Sequence, residues 1–143
     1  MLFGKRERLI RRILVVEDEP LVAFDNEHLL GEAGYEVVAT VDSLADARAV
    51  IESDERIDLV LTDIALAGDG DGVDVARLAG ARGIKVLFVS GFCPEHAQSL
   101  AVGCLAKPYS DRVLKGALDA LEDHLQGRKL KKLPPQLTLY EQA

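Results

Sequence analysis

Short apolar runs rich in β-branched residues alternate with helical patterns five times along this chain. The apolar runs are bounded by turn residues, which is typical of strands, and the segments between them repeat apolar residues at helical spacing. This alternation predicts an α/β fold, a doubly wound five-stranded parallel sheet with helices on both faces. The predicted strands cover residues 13–16, 35–41, 57–62, 84–89 and 102–106.

Several of the intervening helices have recognisable ends. Pro20 fits a first helical turn, where no N–H partner is needed, and Gly34 ends the same helix. Ser43 and Ser110 are placed to cap two later helices. The fourth helix is predicted to be short, because residues 94–100 leave room for barely two turns.

Length and composition limit the class of protein. With 143 residues, of which 48% are hydrophobic, the chain suits one globular domain. Its two cysteines are too few for a disulfide scaffold or a CxxC metal site, so we predict a cytoplasmic location. We expect Cys104 to be a small buried strand residue and Cys93 to have no special reactivity. No apolar run approaches the roughly 20 residues of a membrane helix, and no signal peptide is recognisable.

The net charge of −7 is unevenly distributed, because both ends of the chain are basic and the middle is strongly acidic. An acidic body is a poor surface for nucleic acid, so we predict no direct DNA binding. It suits a metal cation or a basic partner better. The predicted organisation is a basic N-terminal lead over residues 1–11, a folded domain over 12–126 and a basic, proline-containing tail over 127–143.

Polar residues follow four of the predicted strands at their carboxyl ends. Glu17 and Asp18 follow the first strand, Asp63 the third, Ser90 the fourth and Lys107 the fifth. A parallel sheet brings these ends together at the crevice where such folds bind ligands. Three carboxylates there repel one another unless a cation lies among them, and their hard oxygens suit Mg²⁺. Together with the metal, the hydroxyl and the ammonium would neutralise a transferring phosphoryl group.

Four segments resemble, in order and spacing, the motifs of the response-regulator receiver domain of two-component signalling. The resemblance covers about residues 12–126 and implies a flavodoxin-like sheet with the strand order 2-1-3-4-5. The segments are Val15-Val16-Glu17-Asp18-Glu19-Pro20, Leu61-Thr62-Asp63, Val89-Ser90-Gly91 and Lys107-Pro108-Tyr109.

The resemblance assigns a role to each residue at the acidic end of the crevice. It makes Asp63 the phosphoacceptor for a histidine kinase or a phosphotransfer protein. It makes Glu17 and Asp18 the metal-side acids, with Asp63 and the backbone carbonyl of Ala65 as further Mg²⁺ ligands.

The same resemblance assigns the other side of the crevice. Ser90 would be the hydroxyl that moves to the acyl phosphate, and Lys107 would bind the phosphate. The Lys107–Pro108 peptide bond would be cis, a form whose free-energy cost is small only before proline. Side chains two positions after the phosphoacceptor and after the hydroxyl residue face the attacking water in receivers, and here they are Ala65 and Phe92.

The chain also departs from the usual receiver pattern. Cys104 stands where the family usually has an aromatic switch residue, three positions before the lysine. Leu66 and Ala67 stand where Met-Pro is common. Residues 88–92, Phe-Val-Ser-Gly-Phe, are similar to the Phe-Ala-Thr-Gly motif of stand-alone receivers that lack the aromatic switch and are associated with bacterial stress signalling.

Three functions are open at this point. The first is a phosphorylatable receiver without an output domain, since nothing after residue 126 is long enough to fold alone; it would change partner binding or act as a phosphate sink. The second is a Mg²⁺-dependent phosphatase with an aspartyl nucleophile, but Ala65 stands where such enzymes usually carry an acid. The third is a degenerate receiver that binds a partner without phosphorylation. We favour the first, which is not an enzyme beyond its own phosphorylation and dephosphorylation.

Overall fold

The computed structural model describes residues 7–130 and 132–140. Strands and helices alternate along the described chain. A short 3₁₀ helix takes the place of an α-helix between β4 and β5, and a sixth strand follows the last helix. The elements are β1 (Arg12–Val16), α1 (Pro20–Glu32), β2 (Glu36–Val41), α2 (Leu44–Ile51), β3 (Leu59–Asp63), α3 (Gly72–Ala81), β4 (Lys85–Ser90), the 3₁₀ helix (Glu95–Leu100), β5 (Gly103–Ala106), α4 (Asp111–Leu125) and β6 (Leu137–Leu139).

The sheet confirms the predicted topology and adds one strand to it. Its order is β2-β1-β3-β4-β5-β6, and the first five strands pair in parallel. Strand β6 pairs antiparallel with β5 and was not predicted, because its three residues lie in the segment interpreted as a tail. The sheet is therefore six-stranded, and the tail supplies its last edge.

Helices cover both faces of the sheet, as predicted. Alternate residues along a strand pack on opposite faces of the sheet. Val15 and Leu61 pack on the side of α1 and α4, while Leu14 and Val60 pack on the side of α2 and α3. Strands buried on both faces read as continuous apolar runs, which explains why they were recognisable in the sequence.

The predicted helix ends are borne out at the capping serines. The side chain of Ser43 accepts a hydrogen bond from the amide of Asp46, and that of Ser110 accepts one from the amide of Val113. Between β4 and β5 the chain forms six residues of 3₁₀ helix, which agrees with the predicted shortness of this connection.

The described part of the N-terminal lead packs against the body of the domain. The buried carboxylate of Glu122 accepts hydrogen bonds from the amides of Leu9 (2.8 Å) and Ile10 (3.0 Å), and Ile10 is fully buried. The guanidinium of Arg8 lies 4.6 Å from the centre of the Tyr35 ring. The rest of the predicted lead, residues 1–6, lies outside the described residues, as do residues 131 and 141–143 of the tail.

Gly103 permits the close approach of β6 to β5. A Cβ atom at this position would lie 2.7 Å from the carbonyl oxygen of Thr138. We expect Gly103→Ala to lower the free energy of unfolding by about 1–3 kcal/mol, because the added methyl group forces the strands apart. Denaturant titration measures the change.

The matched control for this substitution is Gly80→Ala. Gly80 lies on α3 with no heavy atom within 4 Å of an added Cβ, so alanine should stabilise the helix by about 0.5–1 kcal/mol. An unchanged unfolding midpoint in Gly103→Ala would show that β6 does not depend on this contact.

Candidate functional site

Three acidic side chains converge at the carboxyl end of the sheet. Strands β1 and β3 are neighbours with Val16 opposite Thr62, so the residues that follow this pair, Glu17 and Asp63, end side by side. Asp18 is the next residue along the chain. One carboxylate oxygen from each of these acids lies within 4.8 Å of the other two. Glu17 and Asp63 are buried, and Asp18 is half-buried.

The ammonium of Lys107 lies between two of these carboxylates. Its Nζ is 2.8 Å from Oδ2 of Asp63 and 3.0 Å from Oε1 of Glu17, and it lies 4.0 Å from Oε1 of Glu19. Lys107 follows β5, so the sheet brings it to this crevice from the opposite side. The arrangement places a fixed positive charge directly against the Asp63 carboxylate.

The charged groups in the crevice shift one another's pKa values. Burial raises the pKa of Glu17, and the hydrogen bonds from Lys107 and from the amide of Glu19 offset only part of that effect. For Lys107, burial alone lowers the pKa, but the carboxylates of Asp63 and Glu17 more than reverse this and raise it. Lys107 therefore stays charged at neutral pH.

The donor set fits a small hard cation. Oxygen atoms are the ligands that Mg²⁺ prefers, and it usually keeps several of its waters when carboxylates bind it. Oδ2 of Asp18 accepts a hydrogen bond from the amide of Ala67 at 2.9 Å, which orients that carboxylate. Ala65, whose carbonyl the sequence resemblance adds to the set, is exposed in the loop after β3.

Ser90 is at the end of β4, next to the strand that carries the lysine. The amide of Lys107 donates a hydrogen bond to the backbone carbonyl of Ser90 at 2.8 Å. The Ser90 hydroxyl itself is engaged by the following loop: it donates to the carbonyl of Phe92 at 2.6 Å and accepts from the Phe92 amide at 3.1 Å. Phe92 points into solvent, with 79% of its surface exposed.

The loop after Lys107 is fixed to the first helix. The Lys107–Pro108 peptide bond is cis, as predicted. The hydroxyl of Tyr109 lies 3.2 Å from Oδ1 of the buried Asn26 and donates a hydrogen bond to it. Sequence reasoning missed Asn26, although a polar residue on the buried stripe of α1 is a signal for such a partner.

The two cysteines require a correction. Sequence reasoning excluded a disulfide scaffold and interpreted the two cysteines as separate, unreactive residues, but Cys93 and Cys104 form a disulfide with their Cα atoms 6.1 Å apart. Cys104 is buried in β5 as expected. Their proximity follows from the short 3₁₀ helix, which returns the chain to the sheet within eleven residues and which composition does not reveal.

A family model described as the response regulator receiver domain matches residues 13–119. None of the helices in the described part of the chain is long and apolar enough to cross a membrane.

Two regulators are similar to this chain in sequence. The phyllosphere-induced regulator PhyR of Methylorubrum extorquens is 32% identical over 81 residues, which are 56% of this chain and 30% of that protein. The transcriptional regulatory protein PdtaR of Mycobacterium tuberculosis is 30% identical, and the match covers 84% of this chain and 69% of that protein. The chain thus spans under a third of one relative and about two thirds of the other.

The fold is also similar to solved structures. A CheY-like response regulator receiver domain protein from Methanospirillum hungatei superposes with a TM-score of 0.70 at 26% identity, covering 82% of this chain and 98% of that one.

Proposed function

This chain belongs to the response regulator receiver family, and we propose that its Asp63 accepts a phosphoryl group from a histidine kinase or a phosphotransfer protein. The observation that carries the proposal is the ion pair between Lys107 and Asp63 at 2.8 Å, inside a crevice that also holds Glu17 and Asp18. It combines a nucleophilic carboxylate with a fixed cation for the incoming phosphoryl oxygens.

In the proposed reaction a carboxylate oxygen of Asp63 attacks phosphorus. The new O–P bond forms as the P–N bond to the donor histidine breaks, and the imidazole leaves with the electron pair and takes up a proton. Lys107 holds the negative oxygens of the transferring group by charge-assisted hydrogen bonds. Its raised pKa keeps it protonated while it does so.

A bound Mg²⁺ would neutralise charge that develops on the phosphoryl oxygens. Glu17, Asp18 and Asp63 would hold it, together with the carbonyl of Ala65. We propose that the phosphorylated form then changes its affinity for a protein partner, or draws phosphoryl groups from a shared kinase, and that it does so in the cytoplasm.

Intact mass measurement tests this proposal. After incubation with Mg²⁺ and acetyl phosphate, the wild-type chain should gain one phosphoryl group and Asp63→Asn should gain none. Asp69→Asn is the matched control, because it makes the same change of charge in the exposed loop after β3 and should be labelled like wild type.

Other outcomes would support the rival functions. Labelling that persists in Asp63→Asn would place the phosphoryl group elsewhere. No labelling of the wild type would favour a receiver that binds its partner without phosphorylation. Turnover of many phosphate esters per molecule would favour the aspartyl phosphatase.

Millimolar Mg²⁺ should stabilise the fold even without phosphate, because the cation relieves the repulsion among the three acids. We expect about 1 kcal/mol, which for a domain of this size raises the melting temperature by roughly 3–6 °C. The measurement is a melting curve in Mg²⁺ and in chelator.

The control variants keep the shape of the site. Asp18→Asn can still accept the hydrogen bond from Ala67, yet it should lose most of the Mg²⁺ effect, whereas Asp69→Asn should keep it. Because burial raises the pKa of Glu17, the effect should also fade with falling pH sooner than for an ordinary glutamate. Identical wild-type curves in Mg²⁺ and chelator would contradict cation binding here.

A further inference from the structure

We propose that Cys93 and Cys104 form a reversible thiol–disulfide site that controls whether the Ser90 hydroxyl is free to meet a phosphoryl group on Asp63. The proposal rests on the proposed function for the phosphoryl group. The molecules that would react at this site are low-molecular-weight thiols and their disulfides.

The position of the bond is the first reason. Cys93 follows Ser90 by three residues, and Cys104 precedes Lys107 by three. The disulfide therefore ties the loop after the hydroxyl residue to the strand that carries the phosphate-binding lysine. A covalent link at this place limits how the two can move relative to each other.

The second reason is the state of the Ser90 hydroxyl. With the disulfide formed, it exchanges hydrogen bonds with both backbone groups of Phe92, the residue directly before Cys93. The disulfide holds the next residue of that turn and so keeps the Phe92 backbone in place. Oxidation thus withholds the hydroxyl from Asp63, and reduction lets the loop turn it toward the crevice.

The third reason is the different exposure of the two sulfur-bearing residues. Cys104 is fully buried in β5, whereas Cys93 is half-buried in the loop. The Cys93 sulfur is therefore the one that a small thiolate can reach. Intracellular disulfides, where they form, are usually transient and catalytic or redox-sensing.

The exchange is balanced in two steps. One small thiolate attacks the Cys93 sulfur, the S–S bond breaks, and Cys104 leaves as a thiolate that takes up a proton. A second small thiolate attacks the mixed disulfide at the small molecule's sulfur and releases Cys93, which is protonated in turn. Two small thiols are oxidised to their disulfide while the protein gains two thiols, and oxidation reverses both steps.

The test uses the full chain in buffers of reduced or oxidised glutathione. Alkylation and intact mass should show two modified thiols in the reduced state and none in the oxidised state. Phosphorylation by acetyl phosphate in Mg²⁺ should then be at least about fivefold faster in the reduced state, the lower end of ordinary coupling between two sites.

Two variants separate the mechanism from a general effect of oxidation. Cys93→Ser cannot form the bond and should be phosphorylated at the fast rate in both buffers. Ser90→Ala lacks the controlled hydroxyl and should be slow in both. Equal wild-type rates in the two buffers, redox dependence that persists in Ser90→Ala, or two alkylated thiols in the oxidising buffer would overturn the proposal.

Amide hydrogen exchange, measured without any phosphoryl donor, distinguishes control of the loop by the disulfide from the proposed phosphorylation of Asp63. The Phe92 amide, which now donates to Ser90, should exchange its hydrogen faster after reduction. If exchange rises on reduction but no chain is phosphorylated in either buffer, the proposed function fails although the disulfide controls the loop. Unchanged exchange would overturn the control of the loop itself.

Discussion

Lys107→Ala should still accept a phosphoryl group on Asp63 but should lose the conformational response to it. The nucleophile and the acids proposed to bind the cation remain in this variant, so transfer continues, although more slowly without the positive charge of the lysine. What disappears is the charge-assisted bond that pulls the end of β5 toward the phosphoryl oxygens. Because the Lys107 amide is bonded to the Ser90 carbonyl at 2.8 Å, that pull would otherwise reach the end of β4 directly.

Amide spectra before and after phosphorylation measure this response. In the wild type the signals of Ser90 and Cys104 should shift, and in Lys107→Ala they should not, although intact mass shows the added group. Lys115→Ala is the control, because this exposed lysine of α4 pairs with Asp119 and not with an acid of the crevice. A phosphorylated Lys107→Ala with wild-type shifts would show that the response takes another route.

The arrangement of the crevice could be predicted because it depends on local patterns. Each strand is a short apolar run, and each functional residue lies at the carboxyl end of its strand or just after it, as Asp63 is the last residue of β3. A parallel sheet then brings the strand ends together without further information. The sequence therefore indicated the neighbours of Asp63 before any distance was known.

The features that sequence reasoning missed depend on contacts between distant segments. Strand β6 is three residues long, and its pairing with β5 depends on Gly103 leaving space for Thr138. The buried carboxylate of Glu122 accepts hydrogen bonds from two amides of the N-terminal lead, more than 110 residues away. Neither contact has a local signature in the sequence.

The disulfide changes the interpretation of one departure from the family pattern. Sequence reasoning treated Cys104 as a small residue in place of an aromatic switch. In the structure this position is joined covalently to the loop after Ser90. A chemical bond thus connects the position of the family's usual aromatic switch residue to the loop after the hydroxyl residue.

Phosphorylated Asp63 should be long-lived in this chain. It is lost when a water oxygen attacks phosphorus and the O–P bond to Asp63 breaks, and positioning that water provides most of the available catalysis. The side chains expected to face the water are Ala65, which cannot hydrogen-bond to it, and Phe92, which is apolar and 79% exposed. Lys107 still stabilises the charge, so transfer to Asp63 should survive while hydrolysis is slow.

A polar group at either position should shorten this lifetime. We expect Ala65→Asn and Phe92→Glu each to accelerate the loss of phosphate by about tenfold to a hundredfold, which is roughly 1–3 kcal/mol of barrier. The measurement is the decay of phosphorylated Asp63 in Mg²⁺ and reducing buffer after acetyl phosphate is removed. Ala67→Asn, in the same loop, and Phe24→Glu, on the exposed side of α1, are the matched controls and should decay like wild type. Loss within seconds in the wild type, or no acceleration in either variant, would show that access of water depends on other groups.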